Sequence, residues 1–273
     1  MIANIDGDLI TYPCAASCEP RLTTSELASM TPEQIKYALT PEPLEVALLR
    51  CDKLIREILE ASDCEEYNLF LSTKSNFRKE INSEYKANRK DTIPPQWLQQ
   101  CKEYLLTEWN AKVKEYYEAD DLLGISQSND TVLCSFDKDL LMIPGRHFNW
   151  KKQQYGDITI IEPYQGLQYF YAQMLIGDKT DNVIGIQGIG PVKANKALDQ
   201  CEDEQEMFDY VYDKYNDPER FLINAQCLWI MQKEGETWAH RTNGLIFDEC
   251  MMGLVNDAKI KITSLLNTME NVE

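Results

Sequence analysis

The chain has 273 residues, 44% of them hydrophobic, which is enough for one large domain or two small ones around a substantial core. It offers no apolar run of about 18 residues that could span a membrane, and the opening MIANIDGD lacks the basic-then-apolar pattern of a secretion signal. The net charge is −18, the nine cysteines form no CxxC pair and there are only two histidines. On average this argues against a nucleic-acid partner, against a zinc site and against catalysis by several imidazoles.

In chain order, IANI (2–5) reads as a short apolar strand that ends at Asp6. Residues 19–43 are polar and proline-bearing and predict a loop-rich segment. Apolar residues at 44, 48, 51, 55, 58 and 59 form a helical stripe. LFL (69–71) reads as a second strand. Residues 74–90 hold six basic and two acidic residues, so the average charge hides one basic segment on an acidic body. Pro94 and Pro95 predict the start of a helix running to about Leu106, because proline suits a first helical turn. EADDLLG opens another helix near Glu118, and TVLCSF (131–136) is a third buried strand ending at Asp137. Short apolar strands alternating with helices predict an α/β fold with a parallel sheet covered on both faces. Beyond about residue 165 the pattern is helical, with Asp217 and Pro218 starting a helix whose body is FLINAQCLWIM. The cysteines read as buried free thiols in a reducing cytoplasm.

Acids gather where the apolar strands end. Asp6 and Asp8 follow the first strand, and Asp137 and Asp139 follow the third. Glu118, Asp120 and Asp121 open a helix, and Asp178 and Asp181 stand three apart. In parallel α/β sheets the carboxyl ends of the strands form the ligand crevice. Acids converging there repel one another unless a cation neutralises them, and an all-oxygen set suits Mg²⁺ or Mn²⁺ rather than zinc. Each acid taken alone reads better as a helix cap or a solvated turn residue; the repetition of the pattern favours a metal site.

Downstream, GIGPVKANKAL resembles a helix–hairpin–helix. Gly188 and Gly190 permit a tight turn and close approach, with a positive φ expected at Gly190. Pro191 starts the next helix, whose free N–H groups suit a phosphate, with Lys193 and Lys196 on its first turns. A plain glycine turn between core helices is the alternative.

Five pieces in order, IDGD (5–8), NFRKEINSEYKANRK (76–90), EADD (118–121), SFDKD (135–139) and GDKTDNVIGIQGIGPVKA (177–194), resemble the phage-type 5′–3′ exonuclease or flap endonuclease family over roughly residues 1–200. The resemblance implies a PIN-like parallel-sheet nuclease core over 1–165. Within it a helical arch covers 74–106. A helical DNA-binding region over 166–273 follows, with a helix–three-turn–helix at 168–200. It implies two divalent ions, Mg²⁺ or Mn²⁺, on Asp6, Glu118, Asp120, Asp121, Asp137, Asp139, Asp178 and Asp181, and K⁺ at the hairpin. It implies DNA contacts from Arg78, Tyr85, Lys86, Arg89 and Lys90 in the arch and from the hairpin. Tyr85 would stack on a base or simply pack. The implied substrate is duplex DNA with a 5′ end or flap, and the implied setting is the cytoplasm of a phage-infected bacterium. One departure stands out: Ser72 and Thr73 fall where the family carries an aspartate. A structure-specific DNA-binding protein with weakened catalysis, or a PIN-type ribonuclease, are the rival readings.

Overall fold

The computed structural model describes residues 1–20, 24–90, 92–152, 156–241 and 244–270. β1 (Ile2–Asp6) is buried along nearly its whole length, as a strand covered on both faces must be. Its one interior polar side chain, Asn4, donates to Ser126 O (3.0 Å) and accepts from Asn68 (2.9 Å). α1 (Asp8–Ala16) follows at once. Next come two short helices, α2 (Thr24–Ala28) and α3 (Pro32–Ala38), where the sequence predicted loop; the part of that expectation at 21–23 lies outside the described residues. The signal for α3 was there to be read. Thr31 and Gln34 bond reciprocally (2.8 and 3.3 Å) around Pro32, a capping box with proline at the first helical position.

α4 (Leu44–Ala61) buries Cys51, Ile55 and Ile58 of the expected stripe, with Ala47 added to it and Leu44, Leu48 and Leu59 half-buried at its margin. β2 (Glu66–Phe70) precedes α5 (Phe77–Ile81) and a single 3₁₀ turn at Ala87–Arg89. α6 (Leu98–Glu108) starts later than predicted. Pro95 O closes a turn onto Leu98 N (3.1 Å), so the prolines lead into the helix without forming part of it. α7 (Ala119–Ser126) is capped by Glu118, and β3 (Thr131–Cys134) follows. β4 (Gly145–Phe148) and β5 (Thr159–Ile161) were not foreseen; both are too short and mixed to carry a periodic signal.

The five-stranded sheet has the order β2-β1-β3-β4-β5, parallel except for β5, which runs antiparallel to β4. Alternation along the strands sends Val132 and Cys134 to one core and Leu133 to the other. The first core packs α1, α4 and α6 against the sheet, with Ile10, Ile55 and Leu105 in it.

The second core reaches far down the chain. α8 (Pro163–Ile176) leads into the hairpin of β6 (Gly177–Asp178) and β7 (Val183–Ile184), then into α9 (Pro191–Leu198), α10 (Glu204–Tyr215), α11 (Pro218–Leu228) and α12 (Glu249–Glu270). One hydrophobic cluster links Leu133 in the sheet with Phe170, Phe208, Phe221 and Trp238. α8 already begins at Pro163, set by a Glu162–Gln165 capping box, slightly ahead of the boundary read from the sequence. The cysteines are free thiols, mostly buried as expected, though Cys250 is exposed. Among the described residues no helix is long and apolar enough to cross a membrane.

Candidate active site

β1 and β3 are parallel neighbours, so the acids after them meet at one edge of the sheet. They line a cleft of about 760 Å³. Seven of the eight acids implied as metal ligands lie on its wall: Asp6, Asp137 and Asp139 at or just after the strand ends, Glu118 and Asp120 at the start of α7, and Asp178 and Asp181 at the β6–β7 hairpin. Basic side chains face the same space, Lys86, Arg89 and Lys90 among them.

Two halves of the cleft differ in electrostatics. In the first, acids meet acids. Asp6 accepts from Leu9 N (3.2 Å) and Ser135 Oγ (3.1 Å), yet burial and then the charge of Asp8 push its carboxyl up to about 7. Burial, then Asp137 and Asp178, raise Asp139 to about 7 as well. Asp120 stands well above the ordinary carboxylate range, through burial and the facing charges of Asp6 and Asp137. Desolvation and like charge act together here, which is the condition a bound cation would relieve.

In the second half, the chain supplies its own cations. Lys86 Nζ pairs with Glu118 Oε1 and lies 3.6 Å from Asp181. Arg89 bonds Asp181 Oδ1 at 2.7 Å. The Tyr85 hydroxyl lies 2.9 Å from Glu118 Oε2 and 2.8 Å from Asp181 Oδ2. Burial alone would raise Glu118, but Lys86 and Arg78 outweigh it and hold the group down to about 2. The backbone is fastened too: Lys86 N–H donates to Asp181 O (2.9 Å), Asn88 to Lys179 O (2.8 Å) and Asn182 to Glu84 O (2.8 Å). The basic segment is thus sewn onto the hairpin loop. Lys138, inside SFDKD, lies 3.5 Å from Asp178 and 3.6 Å from Asp139; its place between two aspartates was the signal for it, and it was overlooked.

Three residues do not stand where the sequence put them. Asp121 is fully buried and faces away from the cleft. Its two oxygens take a bidentate pair from Arg78 at 2.7 Å each, and it also accepts Met231 N–H (3.1 Å). Arg78, expected on DNA, is only 2% exposed. Its remaining donors go to Glu118 (3.2 Å), Cys227 O (3.0 Å) and Trp229 O (2.7 Å), which leaves none for a phosphate. Tyr85 is buried, so its ring offers no face to a base; its hydroxyl serves the acids instead.

At the neutral end of β2, Ser72 Oγ accepts Ala119 N–H (2.9 Å) and so caps α7, while the Thr73 hydroxyl turns back onto Ser75 (3.0 Å to Oγ). In the turn before α9 the left-handed residue is Gly188 (φ +80°), whereas Gly190 is extended (φ −106°, ψ 180°), contrary to expectation. α9 buries Ala194 and Leu198, which leaves Lys193 and Lys196 in solvent; Lys193 Nζ donates to Gly188 O (2.9 Å).

Among the described residues no three acids, thiols or imidazoles already form a cage around one ion; the acids are spread along the wall. Their chemistry nevertheless fits a hard divalent cation, since every donor is an oxygen and three are desolvated among like charges that outweigh their partners.

No protein-family model matches the chain. It is similar to a 5′–3′ exonuclease of Mycoplasma pneumoniae, at 29% identity over 196 residues covering 62% of this chain and 65% of that one. It is similar to flap endonuclease Xni of Shewanella putrefaciens, at 30% identity over 45% of this chain and 52% of the relative. It also matches DNA polymerase I of Bacillus caldotenax, at 34% identity over 48% of this chain but only 17% of that protein. The chain therefore spans less than two thirds of each of these relatives. In fold it is similar to the bacteriophage T5 D15 flap endonuclease, solved with DNA and metal ions, with a TM-score of 0.59 at 14% identity, covering 96% of this chain and 99% of that one. The resemblance to the 5′–3′ exonuclease and flap endonuclease family, read from five short motifs, is borne out by named relatives and by the fold.

Proposed function

We propose that the chain is a divalent-metal-dependent 5′ nuclease that hydrolyses phosphodiester bonds in DNA, as a 5′–3′ exonuclease or flap endonuclease. The observation that carries this reading is the group of Asp6, Asp120 and Asp139, acids held together in the cleft although desolvation and like charge outweigh the partners they have. On this reading Asp6, Glu118, Asp120, Asp137, Asp139, Asp178 and Asp181, which share the cleft wall, would hold the two ions. Such ions lower the pKa of water and offset charge on a reacting phosphate.

The chain's own residues do the rest. Lys86 and Arg89, paired with Glu118 and Asp181, would exchange those carboxylates for an incoming phosphate. Lys90 is exposed and would neutralise backbone charge nearby. The open turn at Gly188 and Gly190 and the lysines of α9 would bind a duplex backbone away from the cut. K⁺ at that turn, a PIN-like core over 1–165, a DNA-binding region over 166–273 and a setting in the bacterial cytoplasm belong to the same proposal, and the resemblance supports them.

Incubating a 5′-labelled flap duplex with Mg²⁺, Mn²⁺ or EDTA tests it. Products shortened from the 5′ side with either metal, and none with EDTA, are expected. DNA binding with no cutting under any metal would replace the nuclease with a binding protein, and cutting confined to RNA would replace it with a ribonuclease.

A further inference from the structure

β1 and β3 each deliver acids to the cleft, but β2, paired to β1 on its other side, ends in Ser72 and Thr73. Both hydroxyls are neutral and already engaged, Ser72 in capping α7 and Thr73 with Ser75, so this strand end brings no charge to the cleft. Asp8, just past the end of the neighbouring β1, fills the gap. It opens α1, lines the cleft, and accepts the Ser72 backbone N–H on Oδ2 at 3.0 Å. Lys102, reaching in from α6, lies 2.7 Å from Asp8 Oδ1 and donates to Ser72 O at 3.3 Å. Both side chains keep a solvent-facing portion, 30% for Asp8 and 26% for Lys102, so the pair borders the open cleft and is not sealed in the core.

We propose that Asp8 is a further carboxylate of the divalent-cation site, carried by the first residue of α1 just past β1 in place of an acid at the end of β2, and that Lys102 is its resident counter-ion. The inference rests on the metal-site reading above. Its physical basis is adjacency. Ser72 and Asp8 lie just beyond paired strand ends, so a carboxylate on either chain segment enters the same corner of the cleft. An ammonium group held on that carboxylate occupies the charge a divalent ion would otherwise meet, so the two cations compete.

Manganese titration by calorimetry tests this on the whole chain, with no substrate present. Asp8→Asn is expected to weaken Mn²⁺ binding about tenfold or more, within the range typical when a metal-site carboxyl partner is lost. Lys102→Met is expected to tighten it severalfold, an effect that a merely structural ion pair would not give. Ser72→Asp in the Asp8→Asn background should restore binding, since aspartate caps a helix as serine does. If wild type binds Mn²⁺ and Asp8→Asn binds it equally, the assignment of Asp8 falls while the metal site stands. If wild type binds no Mn²⁺, the metal-site reading falls as well. Should Asp8→Asn not fold, unchanged affinity in Lys102→Met overturns the proposal.

Discussion

A buried arginine with every donor used is a different object from a surface arginine waiting for a phosphate. Arg78 joins α5, the start of α7 and the end of α11 through Asp121, Glu118, Cys227 and Trp229. Arg78→Met would leave Asp121 buried without its cationic partner, and the loss is expected to cost about 3–5 kcal/mol in urea unfolding. A defect confined to DNA affinity, with unchanged unfolding, would contradict this placement. The raised acids of the cleft act in the opposite sense on stability. Asp6 and Asp139 have folded values near 7 against an ordinary 3.8, so the folded state holds protons that the unfolded state releases. Their contribution is present below about pH 4 and is lost as pH rises toward 7. Glu118, held down to about 2, contributes oppositely and only in the acid range, where its stabilisation is lost as pH falls from 4.5 toward 2. Urea midpoints in EDTA should therefore decline between pH 5 and 7, and Asp139→Asn should flatten that decline by up to about 1.4 kcal/mol per pH unit.

At the scale of the element, the turn into α9 separates two uses of glycine. Gly188 sits at φ +80°, a conformation that costs an L-residue roughly 1–2 kcal/mol. Gly190 is extended and a Cβ there meets nothing within 4 Å. Gly188→Ala is accordingly expected to lower stability by about 1 kcal/mol. Gly190→Val should leave unfolding unchanged yet reduce affinity for a duplex, because its side chain stands in the space the DNA backbone would enter. Urea unfolding and fluorescence anisotropy with a labelled duplex read the two effects separately. Equal duplex affinity for Gly190→Val and wild type would make the segment a turn between helices and nothing more.

For the whole molecule, the charge of −18 and the cleft are linked. If DNA is the substrate, as proposed, a chain this acidic would repel it on most of its surface, and the basic residues clustered at the cleft would give the approach its direction. On the same proposal the cleft acids would bind divalent cations in the folded state, which couples ion binding to stability. Mg²⁺ at about a hundred times its Kd is expected to stabilise the fold by about 2.7 kcal/mol. A thermal scan should show the midpoint rise with Mg²⁺ and return with EDTA. No rise at any Mg²⁺ concentration would mean that the cleft keeps its acids without an ion. Because one apolar cluster runs from Leu133 to Trp238, the shift should reach the sheet and the helical region together.

The sequence by itself determined three of the five strands, β1, β2 and β3, the acids that follow β1 and β3, and the order of the motifs. A strand buried on both faces is mostly apolar, and the chain turns polar where it leaves the sheet, so these features are legible locally. β4 and β5 stayed hidden, being only four and three residues long at the side of the sheet where local pattern is weakest. Residue roles were harder to read than elements. Arg78 lies in a run of basic residues that looks solvent-facing, and only packing brings Asp121, 43 positions away, onto it. Tyr85 meets Asp181 across 96 positions and Asp8 meets the Ser72 backbone across 64. Such pairings have no local signature: the tertiary structure decides them, because burial removes water as the alternative partner and leaves each charge only the partners that the fold delivers.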